Sequence, residues 1–130
     1  MGEQIPMHAC AGMRAGIERY GGDRCVVVTI WGEIDRCTGP RFAATMRSAR
    51  RSVRAGGWLV LDLRAVGLLG AAGLRVLAEL HRWSEPAGVA VWTLAAAAGV
   101  LGPLRATGLT HRLCLVPATA DGRTDEGRGA

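Results

Sequence analysis

Three glycines, Gly67, Gly70 and Gly73, stand three residues apart in LVLDLRAVGLLGAAGLRVL, where an apolar block passes into a helical pattern. A strand, a glycine join and a helix start bring free backbone N–H groups and the positive end of a helix dipole to one point, a general recipe for holding an anion. The spacing narrows that chemistry. A dinucleotide site needs G-x-G-x-x-G and an acid ending the next strand, whereas VWTLAAAA carries none. No G-K-[ST] is present, so a P-loop is excluded too. Polar groups also collect at the end of RCVVVTIWGEID, where Glu33 and Asp35 are followed by Cys37 and Thr38. Arg36 beside Cys37 suits a reactive thiolate, but a buried, inert cysteine is the simpler reading.

The remaining reactive side chains form no constellation. Cys10, Cys25, Cys37 and Cys114 lack C-x-x-C pairing, and His8, His81 and His111 share no ligand spacing with them. This predicts reduced, small, largely buried thiols, no metal site and no cofactor. No Ser, His and acid arrangement suggests a hydrolase, so the expectation is a protein that is not an enzyme.

The elements that position these groups alternate. GIERY reads as a short partner strand turned back by Gly21 and Gly22, and RCVVVTIWGEID as the strand that delivers Glu33 and Asp35 to its end. Thr38 and Pro40 signal a helix start, with apolar residues at Phe42, Met46, Ala49 and Val53 until Gly56 and Gly57. WLVLDL, at 58–63, is apolar enough for a strand buried on both faces. After the glycine join, Leu74, Leu77 and Ala78 line one side of a second helix and Arg75, Glu79 and Arg82 the other, up to Ser84 and Pro86. GVAVWTL is a further strand, an alanine-rich helix runs to about Thr107, and RLCLV ends the pattern. Pro103 is expected to start or kink that third helix rather than sit inside it. The pattern predicts an α/β sandwich, a mixed, mainly parallel sheet of four to five strands with helices packed on it. Trp31, Trp58, Trp83 and Trp92 each fall in or beside an element, where core or edge packing accounts for them.

With 130 residues, about half of them apolar, the chain suits one domain: a flexible N-terminal segment 1–13, a folded domain 14–117 and a disordered tail 118–130. All sixteen basic residues are arginine and the formal charge is +5, a bias that GC-rich coding explains without a nucleic-acid ligand. Arg47, Arg50, Arg51 and Arg54 nevertheless form one stripe at i, i+3, i+4 and i+7, a candidate basic patch without interleaved aromatics. No leader-like start and no apolar run of roughly 18 residues is present, so a cytoplasmic protein without membrane contact is expected.

GEID at a strand end, a helix, LVLDL, a loop opening a helix as GAAGLRVL, and ATGL before the last strand together resemble the STAS domain of bacterial anti-sigma factor antagonists, over roughly residues 14–117. In that family the loop after LDL usually ends in D-S-x-G, whose serine is phosphorylated by an anti-sigma factor that is also a serine kinase. The resemblance places Gly70 at the Asp position and Ala71 at the Ser position, with Gly73 retained. The phosphoacceptor is thus absent. A phosphoserine adds about −1.5 to −2 charge that a docked surface must desolvate, so adding or removing it can decide binding.

The resemblance implies regulation of transcription by binding a serine-kinase-type anti-sigma factor, without the usual switch. Asp35, Thr38, Gly70, Ala71 and Gly73 are the expected partner-binding residues, supplying shape and charge. Two other readings stand beside it: a structural STAS subunit of a larger signalling assembly, and a nucleic-acid-binding domain using the arginine stripe, which the missing aromatics disfavour. Self-association is left open.

Overall fold

The computed structural model describes residues 12–109 and 115–117, so the expected tail 118–130 and nearly all of the segment 1–13 lie outside the described residues. The elements run β1 (Met13–Tyr20), β2 (Cys25–Ile34), α1 (Gly39–Ser52), β3 (Trp58–Leu69), α2 (Ala71–Ala87), β4 (Ala90–Ala95), α3 (Ala98–Ala106) and β5 (Leu115–Pro117). The sheet has five strands in the order β1-β2-β3-β4-β5, with β1 antiparallel to β2 and the other neighbours parallel. It is the expected mixed, mainly parallel α/β sheet.

Gly21 and Gly22, at φ 62° and 71°, take the left-handed conformation that reverses the chain between β1 and β2. β1 is longer than GIERY suggested. Its sequence has little apolar alternation, but every residue of it has a partner on β2, from Met13 opposite Gly32 to Tyr20 opposite Cys25. In β2 the alternation is clean: Val26, Val28, Ile30 and Ile34 are fully buried, while Cys25, Val27, Thr29 and Trp31 point to the opposite face.

β3 departs most from the sequence reading. The strand continues six residues past Leu63, through Gly67 to Leu69, because β2 continues beside it. Thr29 and Trp31 pair with Asp62 and Ala65, and Gly32 and Glu33 with Val66 and Leu68, so β3 carries an extra residue at each of two bulges. Burial falls on Leu59, Leu61 and Leu63, then Val66, then Leu69. The period of two breaks at each bulge, which disguised the second half of the strand. Gly67 therefore lies in a bulge, and the join between strand and helix shrinks to Gly70.

One face of the sheet is covered. Phe42, Met46 and Ala49 of α1, Val76, Leu77 and Leu80 of α2, and Val100 and Leu104 of α3 join the inward residues of β2, β3 and β4 in one core. Each large side chain buried there contributes about 1.5–3 kcal/mol relative to exposure. The buried stripe of α2 runs through Gly73, Val76, Leu77, Leu80 and Ser84, with Leu74 and Ala78 only half-buried at its margin. Pro103 sits inside α3, contrary to expectation; in a nine-residue helix it forfeits one hydrogen bond, and the helix continues to Ala106. Among the described residues no element covers the opposite sheet face. Trp31, Trp58 and Trp92 lie on it, at 39%, 55% and 40% exposure, rather than in the core. Asp62 and Arg64 form an ion pair there at 2.8 Å. Burial pushes the Asp62 carboxyl up, but the hydrogen bonds and charge of Arg64 outweigh it and hold the pKa below the ordinary aspartate value.

Candidate functional site

The ends of β2 and β3 lie side by side, and each feeds a helix. β2 passes through the loop Asp35–Thr38 into α1, and β3 passes through Gly70 into α2. The two exits are tied together by Gly70 N–H, which donates to the Ile34 carbonyl at 2.8 Å.

The first exit is organised by Asp35 and Thr38. Asp35 Oδ1 accepts the N–H groups of Cys37 and Thr38, both at 2.9 Å. Thr38 Oγ1 accepts Asp35 N–H at 2.9 Å and donates to the Glu33 carbonyl at 2.9 Å, with Asp35 Oδ1 at 3.1 Å. These bonds close the loop before α1 begins. Thr38 N–H, followed by the Thr38 hydroxyl and Cys37 N–H, holds the Asp35 carboxyl below its ordinary pKa, against a partial desolvation that works the other way. Thr38 is only 1% exposed, so it shapes the surface from beneath. Asp35 is half-buried and Glu33 exposed.

The second exit has no polar side chain of its own. Gly70, the N-cap of α2, has φ −91° and makes no side-chain cap, and the first turn carries no acid. The backbone N–H groups of that turn therefore meet the surroundings without a side-chain acceptor, at the positive end of the helix. Ala71 is exposed beside them. A Cβ on Gly70 would meet only ordinary contacts, 3.5 Å from the Ile34 carbonyl oxygen. Gly73 is different: a Cβ there would lie 2.5 Å from Leu69 Cδ1 and 2.7 Å from Ile34 Cγ2. It is buried as a packing residue, letting α2 sit directly on the strand ends.

The structure thus brings Asp35, Thr38, Gly70, Ala71 and Gly73 into one neighbourhood. Sequence reasoning missed Gly39 and Ala72, where the two helix starts touch; a Cβ on Gly39 would lie 2.9 Å from Ala72 Cβ. The G-P pair at Gly39 is the available signal, but by itself it marks no more than the helix start that Thr38 and Pro40 already indicate. Cys37 also differs from expectation. It is half-buried and disulfide-bonded, whereas Cys25 is a half-buried free thiol. The spacing of cysteines in sequence carries no record of which side chains the fold brings within bonding distance. Cys10, Cys114, His8 and His111 lie outside the described residues.

The arginine stripe is separate, farther along α1 and just past its end. Arg47, Arg51 and Arg54 are exposed, but Arg50 is half-buried, its guanidinium stacked 5.6 Å from the Trp83 ring centroid. Among the described residues no group of three His, Cys, Asp or Glu side chains could hold a metal, and no helix is long and apolar enough to cross a membrane. The neighbourhood combines the carboxylates of Glu33 and Asp35 with a helix N-terminus that has no side-chain cap.

No protein-family model and no curated protein matches this sequence. Solved structures do match. The chain is similar to the crystal structure of an anti-sigma factor antagonist from Mycobacterium paratuberculosis, with 28% identity, 79% of this chain and 84% of that chain covered, and a TM-score of 0.68. It is also similar in fold to the anti-sigma factor antagonist SpoIIAA in its unphosphorylated form, with 18% identity, 90% and 98% covered, and a TM-score of 0.60. The chain has the STAS fold of anti-sigma factor antagonists.

Proposed function

From that shared fold, we propose that this chain is an anti-sigma factor antagonist that regulates transcription by binding an anti-sigma factor of the serine-kinase type, and that it does so without phosphorylation at the start of α2. The observation that carries the reading is the exposed Ala71 at an uncapped helix N-terminus, joined to the Asp35 loop by the Gly70–Ile34 hydrogen bond. That surface keeps the shape of a docking site and lacks the hydroxyl that a kinase would modify. Asp35 and Glu33 supply its negative charge, while Thr38 and Gly73 hold its backbone in place. The protein acts by occupancy alone, as a binder in a permanently unphosphorylated state.

The test is binding of the full chain to a serine-kinase anti-sigma factor, with and without ATP and magnesium. Affinity is expected to be the same in both, and intact-mass spectrometry should show no added phosphate. The double variant Gly70→Asp/Ala71→Ser should take up phosphate and then lose at least tenfold in affinity, about 1.4 kcal/mol, as a doubly charged group resists desolvation. A parent chain that becomes phosphorylated and is released would place the switch at another residue. A double variant that binds the kinase yet is never modified would show that Ala71 is not at the switch position.

A further inference from the structure

The docking surface leaves β1 unexplained. This edge strand is eight residues long, and only Met13 of it is buried. Among the described residues nothing pairs with its outer side. Long free edges invite pairing with another chain, and charged residues on them ordinarily block it. On β1 the charges are arranged so that a two-fold axis turns them from an obstacle into a match.

Gly12 C=O accepts Glu33 N–H at 2.7 Å, and the register with β2 advances one residue at a time from Met13 to Tyr20. By alternation, Arg14, Gly16, Glu18 and Tyr20 bond to β2, whereas Met13, Ala15, Ile17 and Arg19 direct their N–H and C=O groups out of the sheet. A second copy running antiparallel, with Gly16 facing Gly16 on the axis, would satisfy those groups. In that register Arg14 lies opposite Glu18 of the second copy, and Glu18 opposite its Arg14. These are non-hydrogen-bonded pairs, in which cross-strand side chains come closest. Centring the axis on Ala15 or Ile17 instead sets Glu18 against a glycine and loses both matches.

Both faces of the strand fit the same register. On the open face the Trp31 ring lies across Gly16, where a Cβ would be 3.7 Å from the indole, and Arg14 stacks on that ring at 5.4 Å from its centroid. Gly16 at the axis therefore leaves two half-exposed indoles free to meet. On the helical face a groove of about 450 Å³ runs between β1 and α1, lined by Ala15, Gly16, Ile17, Ala44, Thr45 and Ser48. Ile17, part of its wall, is 37% exposed. The register sets Ile17 of each copy opposite Ala15 of the other, on this face, so each isoleucine enters the other's groove. We propose that two copies of this chain associate through their β1 edges in this register, forming one continuous sheet across a two-fold axis.

Sedimentation equilibrium of the full chain, from micromolar to hundreds of micromolar, tests this. A dimer is expected. Glu18→Arg sets like charges opposite each other twice and should weaken it at least tenfold, while Arg14→Glu combined with Glu18→Arg exchanges the signs and should restore it. Ile17→Pro removes an outward N–H that β2 does not use, so it should give a folded monomer by circular dichroism. A parent chain that stays monomeric throughout overturns the proposal. So does a Glu18→Arg chain that dimerises as tightly as the parent, or a charge exchange that fails to recover association.

Discussion

Gly73→Ala puts the packing beneath the candidate docking surface to a quantitative test. Alanine is ordinarily the better helix former, by about 0.8–1 kcal/mol at an interior position. Here the added methyl meets Leu69 Cδ1 at 2.5 Å and Ile34 Cγ2 at 2.7 Å, about 1 Å inside the ordinary carbon–carbon contact of roughly 3.5–4.0 Å. Leu69 can swing its terminal methyl, but Ile34 is β-branched and fully buried, and its Cγ2 is bonded directly to a Cβ already 3.5 Å from the new atom. Relief therefore requires α2 to lift from the strand ends, and overpacking of this kind costs about 1–3 kcal/mol. Two contacts this close, one to a side chain that cannot swing away, put the cost in the upper part of that range, so after the helix gain is subtracted the expected net loss is about 1–2 kcal/mol, or a fall in Tm of roughly 4 °C per kcal/mol for a domain of this size. Urea denaturation followed by tryptophan fluorescence measures the loss, and Gly70→Asp serves as the control. Gly70 has a negative φ and an open Cβ position, so that variant should stay within about 0.5 kcal/mol of the parent. A Gly73→Ala protein as stable as the parent would refute the reasoning and show that Ile34 and Leu69 yield without cost.

Thr38→Val keeps the shape but leaves the Glu33 carbonyl and Asp35 N–H without their buried partner, which should cost about 1–3 kcal/mol and lower Tm accordingly. At 1% exposure Thr38 is also closed to a kinase, so incubation with ATP and an anti-sigma kinase should leave it unmodified in peptide mass spectrometry. Asp35 and Asp62 both have folded pKa values below the ordinary aspartate value of about 3.9, so the stability each contributes is fully present above that value and lost as pH falls through the folded one. Stability measured between pH 6 and pH 2, roughly the window that linkage implies, should fall on the acid side for the parent, and the slope should flatten in Asp35→Asn and Asp62→Asn. A slope unchanged in both variants would assign the acid sensitivity to other carboxylates.

Local chemistry was enough to determine much of this protein. The β-branched run of β2 and the apolar face of α1 through Phe42, Met46 and Ala49 follow from side-chain periodicity, and the structure buries those same residues. The alternation of strands and helices likewise implied a mixed sheet with helices on it. The neighbourhood of Asp35, Thr38, Gly70, Ala71 and Gly73 was legible through the ordered motifs, since a parallel sheet sets adjacent strand ends, and the helices after them, next to each other. What was not legible depends on contacts between residues distant in the chain. The bulges that extend β3 to Leu69 arise from its pairing with β2, and they erase the alternation that would have announced the strand. Three tryptophans lie on a face that no described element covers, a matter of topology on which hydrophobicity is silent. Gly70 and Gly73 look alike in sequence, yet one has room for a side chain and the other is pressed between Ile34 and Leu69. A residue's own backbone preference is carried in its type; the space around it is decided only when β2, β3 and α2 meet.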